Sequence, residues 1–95
     1  MFIVLLRFSS NSDQAGQFMD GHNEWIRQGF TDDVLLMAGS LKPGPGGAVL
    51  AHNTTLAELE ARVKRDPFVA ENVVSAEIVE IEPARVDDRL AFLLA

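Results

Sequence analysis

The fold follows from one central segment, VLLMAGSLKPGPGGAVLA, which spans residues 34–51. Val34 to Leu41 and the shorter Ala48 to Ala51 are apolar runs of strand length. Between them, residues 42–47 contain two prolines and three glycines, which exclude regular structure. The segment therefore predicts a β-hairpin with a long tip.

A strand and a helix precede the hairpin. Phe2 to Phe8 is a short apolar run with β-branched and aromatic residues, so it predicts the first strand. After a polar turn, apolar residues at helical spacing predict a helix from about Asp13 to Gln28, which we expect Gly29 to end. Its apolar face contains Phe18, Met19, Trp25 and Ile26, together with His22.

A helix and a strand follow the hairpin. Thr55 and Glu58 have the spacing of a capping box and start the second helix. Asp66 before Pro67 favours a separate helical turn over Pro67 to Glu71. Val73 to Glu82 then predicts the last strand, which Pro83 ends.

The resulting order, β-α-β-β-α-β, is typical of an α+β ferredoxin-like domain with a four-stranded antiparallel sheet. Residues 1–95 form one such domain, and residues 83–95 form a C-terminal tail. Right-handed crossovers place both helices on the same face of the sheet.

The opposite sheet face predicts a homodimer. Ile3 and Leu5 point away from Phe2, Val4 and Leu6, so the first strand is apolar on both sides. A sheet with one face in water alternates apolar and polar residues, and this one does not. We therefore expect two sheets packed face to face, with the tail adding to the contact.

Composition excludes several function classes. Fourteen acidic and eight basic residues give a net charge of −6, which repels a phosphate backbone and argues against nucleic acid as a partner. No apolar stretch approaches the roughly 20 residues that span a bilayer, and none resembles a signal peptide. Together with the absence of cysteine, this predicts a cytoplasmic protein without a membrane partner.

The histidines are the first candidates for acid/base chemistry. His52 lies in a polar turn, where a solvated side chain is the ordinary expectation. His22 faces the core, either as a hydrogen-bonded structural residue or as a general base in a pocket between the first helix and the sheet. Asp66 is explained by helix capping alone, or by a second role in orienting a histidine. Two distant histidines without cysteine make a poor metal site, so we expect no metal and no cofactor.

Several of these features, in order, resemble the YCII-related (YciI-like) family of small dimeric α+β barrel proteins. They are the apolar first strand, the stretch His22-Asn23-Glu24-Trp25-Ile26, the hairpin with its Gly/Pro tip, and Asp66-Pro67-Phe68-Val69. The resemblance extends to about Pro83. Asn72 departs from the glycine common in the family, and the tail matches nothing.

The resemblance implies a face-to-face dimer with His22 and Asp66 in the catalytic positions. Members of the family are linked to aromatic degradation, including elimination of chloride from a chlorinated hydroquinone. We accordingly expect a cofactor-independent lyase or isomerase acting on a small cyclic or aromatic metabolite, with Ser40, Trp25 and Phe68 contacting the substrate. The alternatives are a non-catalytic dimer that binds a small molecule and a cofactor-free oxygenase of the related barrel type.

Overall fold

The chain has the predicted order of strands and helices over residues 1–94, which the computed structural model describes. The strands are β1 (Phe2–Phe8), β2 (Leu35–Ser40), β3 (Gly47–Ala51) and β4 (Val74–Glu80). The helices are α1 (Ala15–Thr31), α2 (Leu56–Lys64) and the single turn α3 (Pro67–Ala70). The sheet order is β2-β3-β1-β4 with every neighbouring pair antiparallel, which confirms the ferredoxin-like α+β fold.

The hydrophobic core lies between the helices and one face of the sheet. Alternate residues of β1 are buried, and Val4 is fully enclosed between its partners Val49 on β3 and Ile78 on β4. Burying a side chain of this size contributes about 1.5–3 kcal/mol. The buried apolar side chains are Phe2, Val4, Leu6, Val34, Leu35, Val49, Ala51, Leu59, Val63, Phe68, Val73 and Val74.

In residues 1–94, helices α1, α2 and α3 pack on the core face of the sheet, and none of these three covers the opposite face. Ile3 and Leu5 of β1 are half-buried there, while Met37 and Val79 are 52% and 38% exposed. An ion pair of 2.7 Å between Arg7 and Glu77 lies on exposed positions of β1 and β4. This apolar face is the one from which the sequence predicts a dimer.

The end of α1 differs from the prediction. The helix continues past Gly29 to Thr31, so the expectation that Gly29 ends it was wrong. Gly29 is buried, and a Cβ atom at this position would lie 2.5 Å from Cδ1 of Leu35. The glycine therefore serves close packing between α1 and the start of β2, not capping. At the other end, Asp13 belongs to a short 3-10 turn, Ser12–Gln14, that precedes the helix.

The hairpin tip folds back against β1. Gly46 has φ 116°, a conformation that side chains disfavour, and a Cβ there would lie 2.5 Å from the carbonyl oxygen of Leu6. Glycine at this position therefore allows the tip to approach the strand backbone. As a result, the tip lies over one end of the sheet beside α1.

Both predicted caps in the second half of the chain are confirmed. The Thr55 side chain accepts the N–H of Glu58 at 3.2 Å, and Asp66 accepts the N–H of Phe68 at 3.0 Å. Strand β4 is shorter at both ends than the predicted Val73 to Glu82, although Ile81 still pairs with Met1 through two 2.9 Å hydrogen bonds.

The tail ends in two 3-10 turns within Asp88–Leu94, which meet at a non-helical Leu90, and Leu90, Phe92 and Leu94 are exposed. No helix in residues 1–94 is both long and apolar enough to cross a bilayer.

Candidate functional site

The structure brings His22 and Asp66 into direct contact. His22 lies in the middle of α1 and Asp66 is the N-cap of α3, 44 residues further along the chain. Nδ1 of His22 is 2.9 Å and 3.0 Å from the two carboxylate oxygens. The side chain of Asp66 is fully buried, and that of His22 is 12% exposed. The pair is thus a buried carboxylate joined to a ring that retains some access to solvent.

Local sequence explains how Asp66 is held. Pro67 occupies the first turn of α3, where its missing N–H costs nothing, and Asp66 has the extended backbone of a cap residue. One carboxylate oxygen accepts the N–H of Phe68 and also contacts His22. The cap hydrogen bond therefore fixes the direction in which the carboxylate approaches the imidazole.

This contact determines the tautomer of the neutral imidazole. A carboxylate only accepts hydrogen bonds, so Nδ1 carries the proton and donates it to Asp66. Nε2 then has a free lone pair, and it forms no hydrogen bond with the described part of the chain. A negative carboxylate beside Nδ1 also stabilises the positive charge that the ring acquires when Nε2 takes up a proton. The arrangement therefore presents a base at Nε2.

The imidazole lies beside a cleft of about 600 Å³ between α1, the sheet and the hairpin tip. This volume suits a small organic ligand. His22, Ser40 and Phe68 line the cleft, whereas Asp66 and Trp25 are not among its lining residues. The remaining walls are mostly apolar side chains and the glycine-rich tip: Leu6, Phe8, Ala15, Met19, Asn23, Ile26, Ala38, Gly39, Leu41, Gly44, Pro45, Gly46, Gly47, Ala48, Val49 and Val74.

Two aromatic residues hold the imidazole ring. The ring of Phe68 stacks on that of His22 with centroids 4.0 Å apart and planes at 4°. Trp25 is also nearly parallel to the imidazole, at 6.3 Å and 18°. Its indole N–H donates to the carbonyl oxygen of Arg62 at 2.9 Å, so Trp25 packs between α1 and α2.

Sequence reasoning missed two residues next to His22. Gly21 lets α1 approach α3, since a Cβ there would lie 3.0 Å from Cγ of Pro67. Asn23 places an amide at the cleft and follows Met19 by four residues, so helical spacing was the signal that could have identified it.

His52 lies outside this cleft, in the loop after β3. Its side chain is only 16% exposed, so it is less solvated than a loop position suggests. Nε2 is buried and forms no hydrogen bond with residues 1–94; it lies 3.6 Å from a carboxylate oxygen of Asp33, and the ring meets Phe92 of the tail edge-on at 5.5 Å. In residues 1–94, no group of three or more His, Asp or Glu side chains has an arrangement that fits a metal ion.

Comparisons with known proteins establish the fold. No protein-family model matches the chain, and no curated protein sequence matches it. Among solved structures, a matching chain is 5-chloro-2-hydroxyhydroquinone dehydrochlorinase (TftG) from Burkholderia phenoliruptrix AC1100, in complex with 2,5-dihydroxybenzoquinone. The TM-score is 0.68 and the identity 12%, covering 85% of this chain and 93% of that chain. The ferredoxin-like fold is thus shared with a small-molecule enzyme, and the resemblance to the YCII-related family stays a prediction.

Proposed function

We propose that this protein is a cofactor-independent lyase or isomerase of the YCII-related type, acting on a small cyclic or aromatic metabolite. The observation that carries the proposal is the hydrogen bond from Nδ1 of His22 to the buried carboxylate of Asp66, at the wall of a 600 Å³ cleft. A histidine oriented in this way has a defined tautomer and a free Nε2, which are the requirements of a general base.

The proposed chemistry moves protons through Nε2. Nε2 of His22 takes a proton from an O–H or C–H group of the substrate, and the released electron pair moves into the substrate's π system. In a lyase acting on a chlorinated hydroquinone, the proton returns to the chlorine-bearing carbon, which becomes tetrahedral; Nε2 then takes a second hydroxyl proton, a second carbonyl forms, chloride leaves with the electron pair of the C–Cl bond, and the imidazolium releases its proton to water. In an isomerase the same proton returns from Nε2 to another atom of the substrate. Asp66 stabilises the imidazolium between the two events, and such proton transfer contributes about 10²–10⁴-fold in rate.

Ser40 and Phe68 are proposed as the substrate contacts, since both line the cleft with His22. Phe68 is largely buried and stacks on His22, so it contributes an apolar wall beside the imidazole, and the Ser40 hydroxyl offers a donor and an acceptor. The solved structure with the same fold contains 2,5-dihydroxybenzoquinone, a flat ring that supports this substrate class.

Chloride release from 5-chloro-2-hydroxyhydroquinone is the first assay, because the structurally similar enzyme is named for that compound. Turnover by wild type, lost by about 10²-fold or more in His22→Ala, supports the proposal. His52→Ala is the matched control, as it removes the other imidazole away from the cleft, and we expect it to retain activity. Full activity in His22→Ala contradicts the mechanism. Binding of ring compounds without turnover across a panel of phenols and lactones favours a non-catalytic binding protein instead.

We also propose that the protein works as a homodimer through the open sheet face. Ile3, Leu5, Met37 and Val79 present an apolar surface there that a second sheet would remove from water. Sedimentation should give a dimer for wild type and a monomer for Val79→Lys. Phe30→Lys, on α1 and 45% exposed against 38% for Val79, should remain dimeric. A monomeric wild type at micromolar concentration refutes this part of the proposal.

A further inference from the structure

The two members of the His22–Asp66 pair belong to different elements, so their distance depends on how α1 lies against the junction of α2 and α3. His22 is carried by α1, whereas Asp66 follows directly after the end of α2 and begins α3. A hydrogen bond of 2.9 Å tolerates little relative movement of these elements before it is lost. Other contacts between α1 and the junction of α2 and α3 must therefore fix the position of His22 relative to Asp66.

Trp25 connects α1 to α2 close to the pair, whereas the ion pair between Arg62 and Asp32, at 3.0 Å, connects the two helices at the C-terminal end of α1. Trp25 lies three residues after His22, on the same side of α1, and its indole N–H donates to the carbonyl oxygen of Arg62 at 2.9 Å. Arg62 is in the last turn of α2 and precedes Asp66 by four residues; its carbonyl oxygen also accepts the N–H of Arg65 at 3.1 Å, so Trp25 is the second donor to this oxygen. The hydrogen bond therefore joins α1 to α2 one helical turn away from each member of the pair.

A second close contact lies on the other side of His22. Gly21 approaches Pro67 so closely that an added Cβ would meet Cγ of the proline at 3.0 Å. Pro67 directly follows Asp66, so α1 touches the Asp66 segment just before His22 and is tied to α2 just after it. Rotation of α1 about its axis would break one contact or the other.

We propose that Trp25 is a positioning residue for the His22–Asp66 pair, acting through its hydrogen bond to the Arg62 carbonyl and not through contact with substrate. The indole is outside the lining of the cleft, and its ring is nearly parallel to the imidazole. Without the indole N–H of Trp25, α1 can shift by a fraction of an ångström relative to α2. The first measurable consequence is a weaker Nδ1–H···carboxylate contact at His22.

The chain allows a test that changes this one group. Trp25 is the only tryptophan in the sequence, so growth with β-(3-benzothienyl)alanine replaces it with a side chain of nearly the same shape that lacks the N–H. We expect the His22 Nδ1–H signal in ¹⁵N-edited NMR to exchange with solvent about tenfold faster or to broaden beyond detection. Trp25→Phe is the genetically encoded second variant, with the same expected change.

Thr55→Ala is the matched control. It removes the N-cap hydrogen bond of α2, in which the Thr55 side chain accepts the N–H of Glu58 at 3.2 Å, and leaves the Trp25 and Arg62 side chains unchanged. This variant should lose stability while leaving the His22 signal as in wild type. An unchanged Nδ1–H signal in the benzothienyl protein overturns the proposal, and so does an equal change in Thr55→Ala, which would mean general loosening of the fold.

Turnover is a separate readout that rests on the proposed function. If that function is correct, the benzothienyl protein should lose about tenfold in kcat with KM nearly unchanged, because misplacement of a base by a fraction of an ångström affects the chemical step. Changed NMR signals in a protein without turnover on any tested substrate support the positioning role and contradict the proposed function. The two proposals therefore fail in different experiments.

Discussion

Replacing Asp66 with alanine removes two interactions at once. The carboxylate caps α3 through the N–H of Phe68 and accepts the Nδ1–H of His22, and it is fully buried. Loss of an N-cap costs about 0.5–2 kcal/mol. Loss of a hydrogen bond to a charged group costs about 1.5–3 kcal/mol. We therefore expect Asp66→Ala to lower the free energy of unfolding by about 2–5 kcal/mol, out of roughly 5–14 kcal/mol for a domain of this length.

Thr55→Ala supplies the comparison, because Thr55 is also an N-cap that accepts one backbone N–H but has no histidine partner. Its expected cost is about 1 kcal/mol. In urea, with a slope of about 1–3 kcal/mol per molar, the midpoint for Asp66→Ala should fall by roughly 1–5 M, clearly more than for Thr55→Ala. All measurements need one protein concentration, since dimerisation would make stability depend on it.

A double-mutant cycle with His22→Ala isolates the interaction between the two side chains. The coupling energy should lie at about 1–3 kcal/mol, as for directly bonded residues. If Asp66→Ala costs no more than Thr55→Ala, or if the coupling energy is zero, the hydrogen bond to His22 contributes nothing and the account of this site is refuted.

Two further predictions concern α1. Gly16→Ala should stabilise the protein by about 0.5–1 kcal/mol because open space surrounds the position. Gly29→Ala should destabilise it by about 1–3 kcal/mol through overlap with Leu35, and equal effects of the two changes in urea denaturation would contradict the packing argument. Hydrogen bonds from Gln28 and then from Arg62 hold the pKa of Asp32 below its usual 3.8. The charged Asp32 carboxylate therefore stabilises the folded protein fully above pH 3.8, and this stabilisation is lost as the pH falls through the lowered pKa. Wild type should consequently have a higher Tm than Asp32→Asn at neutral pH, and the two Tm values should converge in acid. A Tm difference that is the same in acid would refute this assignment.

Helix caps were predictable from the sequence, whereas the packing role of glycines near helix ends was not. Thr55 and Asp66 were identified as caps because a cap uses only residues within three positions in the chain. Gly29 was misassigned because glycine serves both capping and close packing, and only the position of Leu35 distinguishes the two. The same limit applies to Gly21, whose neighbour Pro67 is distant in sequence.

The tail illustrates a different limit. We expected the tail to add to the dimer contact; Asp88–Leu94 forms two short 3-10 turns that meet at a non-helical Leu90, and its Leu90, Phe92 and Leu94 are exposed in the protomer. We expected His52 to be solvated, but its side chain is only 16% exposed, and Phe92 of the tail packs edge-on against its ring. Periodicity indicates an apolar side of a helix but carries no information about what covers it.

The sequence by itself determined the order of strands and helices, the fold class, and the face of α1 on which His22 lies. These features depend on side-chain periodicity and turn chemistry, which act between residues close in the chain. Only the tertiary structure decided that His22 meets Asp66 across 44 residues, that Trp25 joins α1 to Arg62 rather than lining the cleft, and that a cleft of 600 Å³ exists. Those facts depend on how α1 packs against the sheet and against the junction of α2 and α3, which is settled by close contacts such as Gly29 with Leu35 and Gly21 with Pro67.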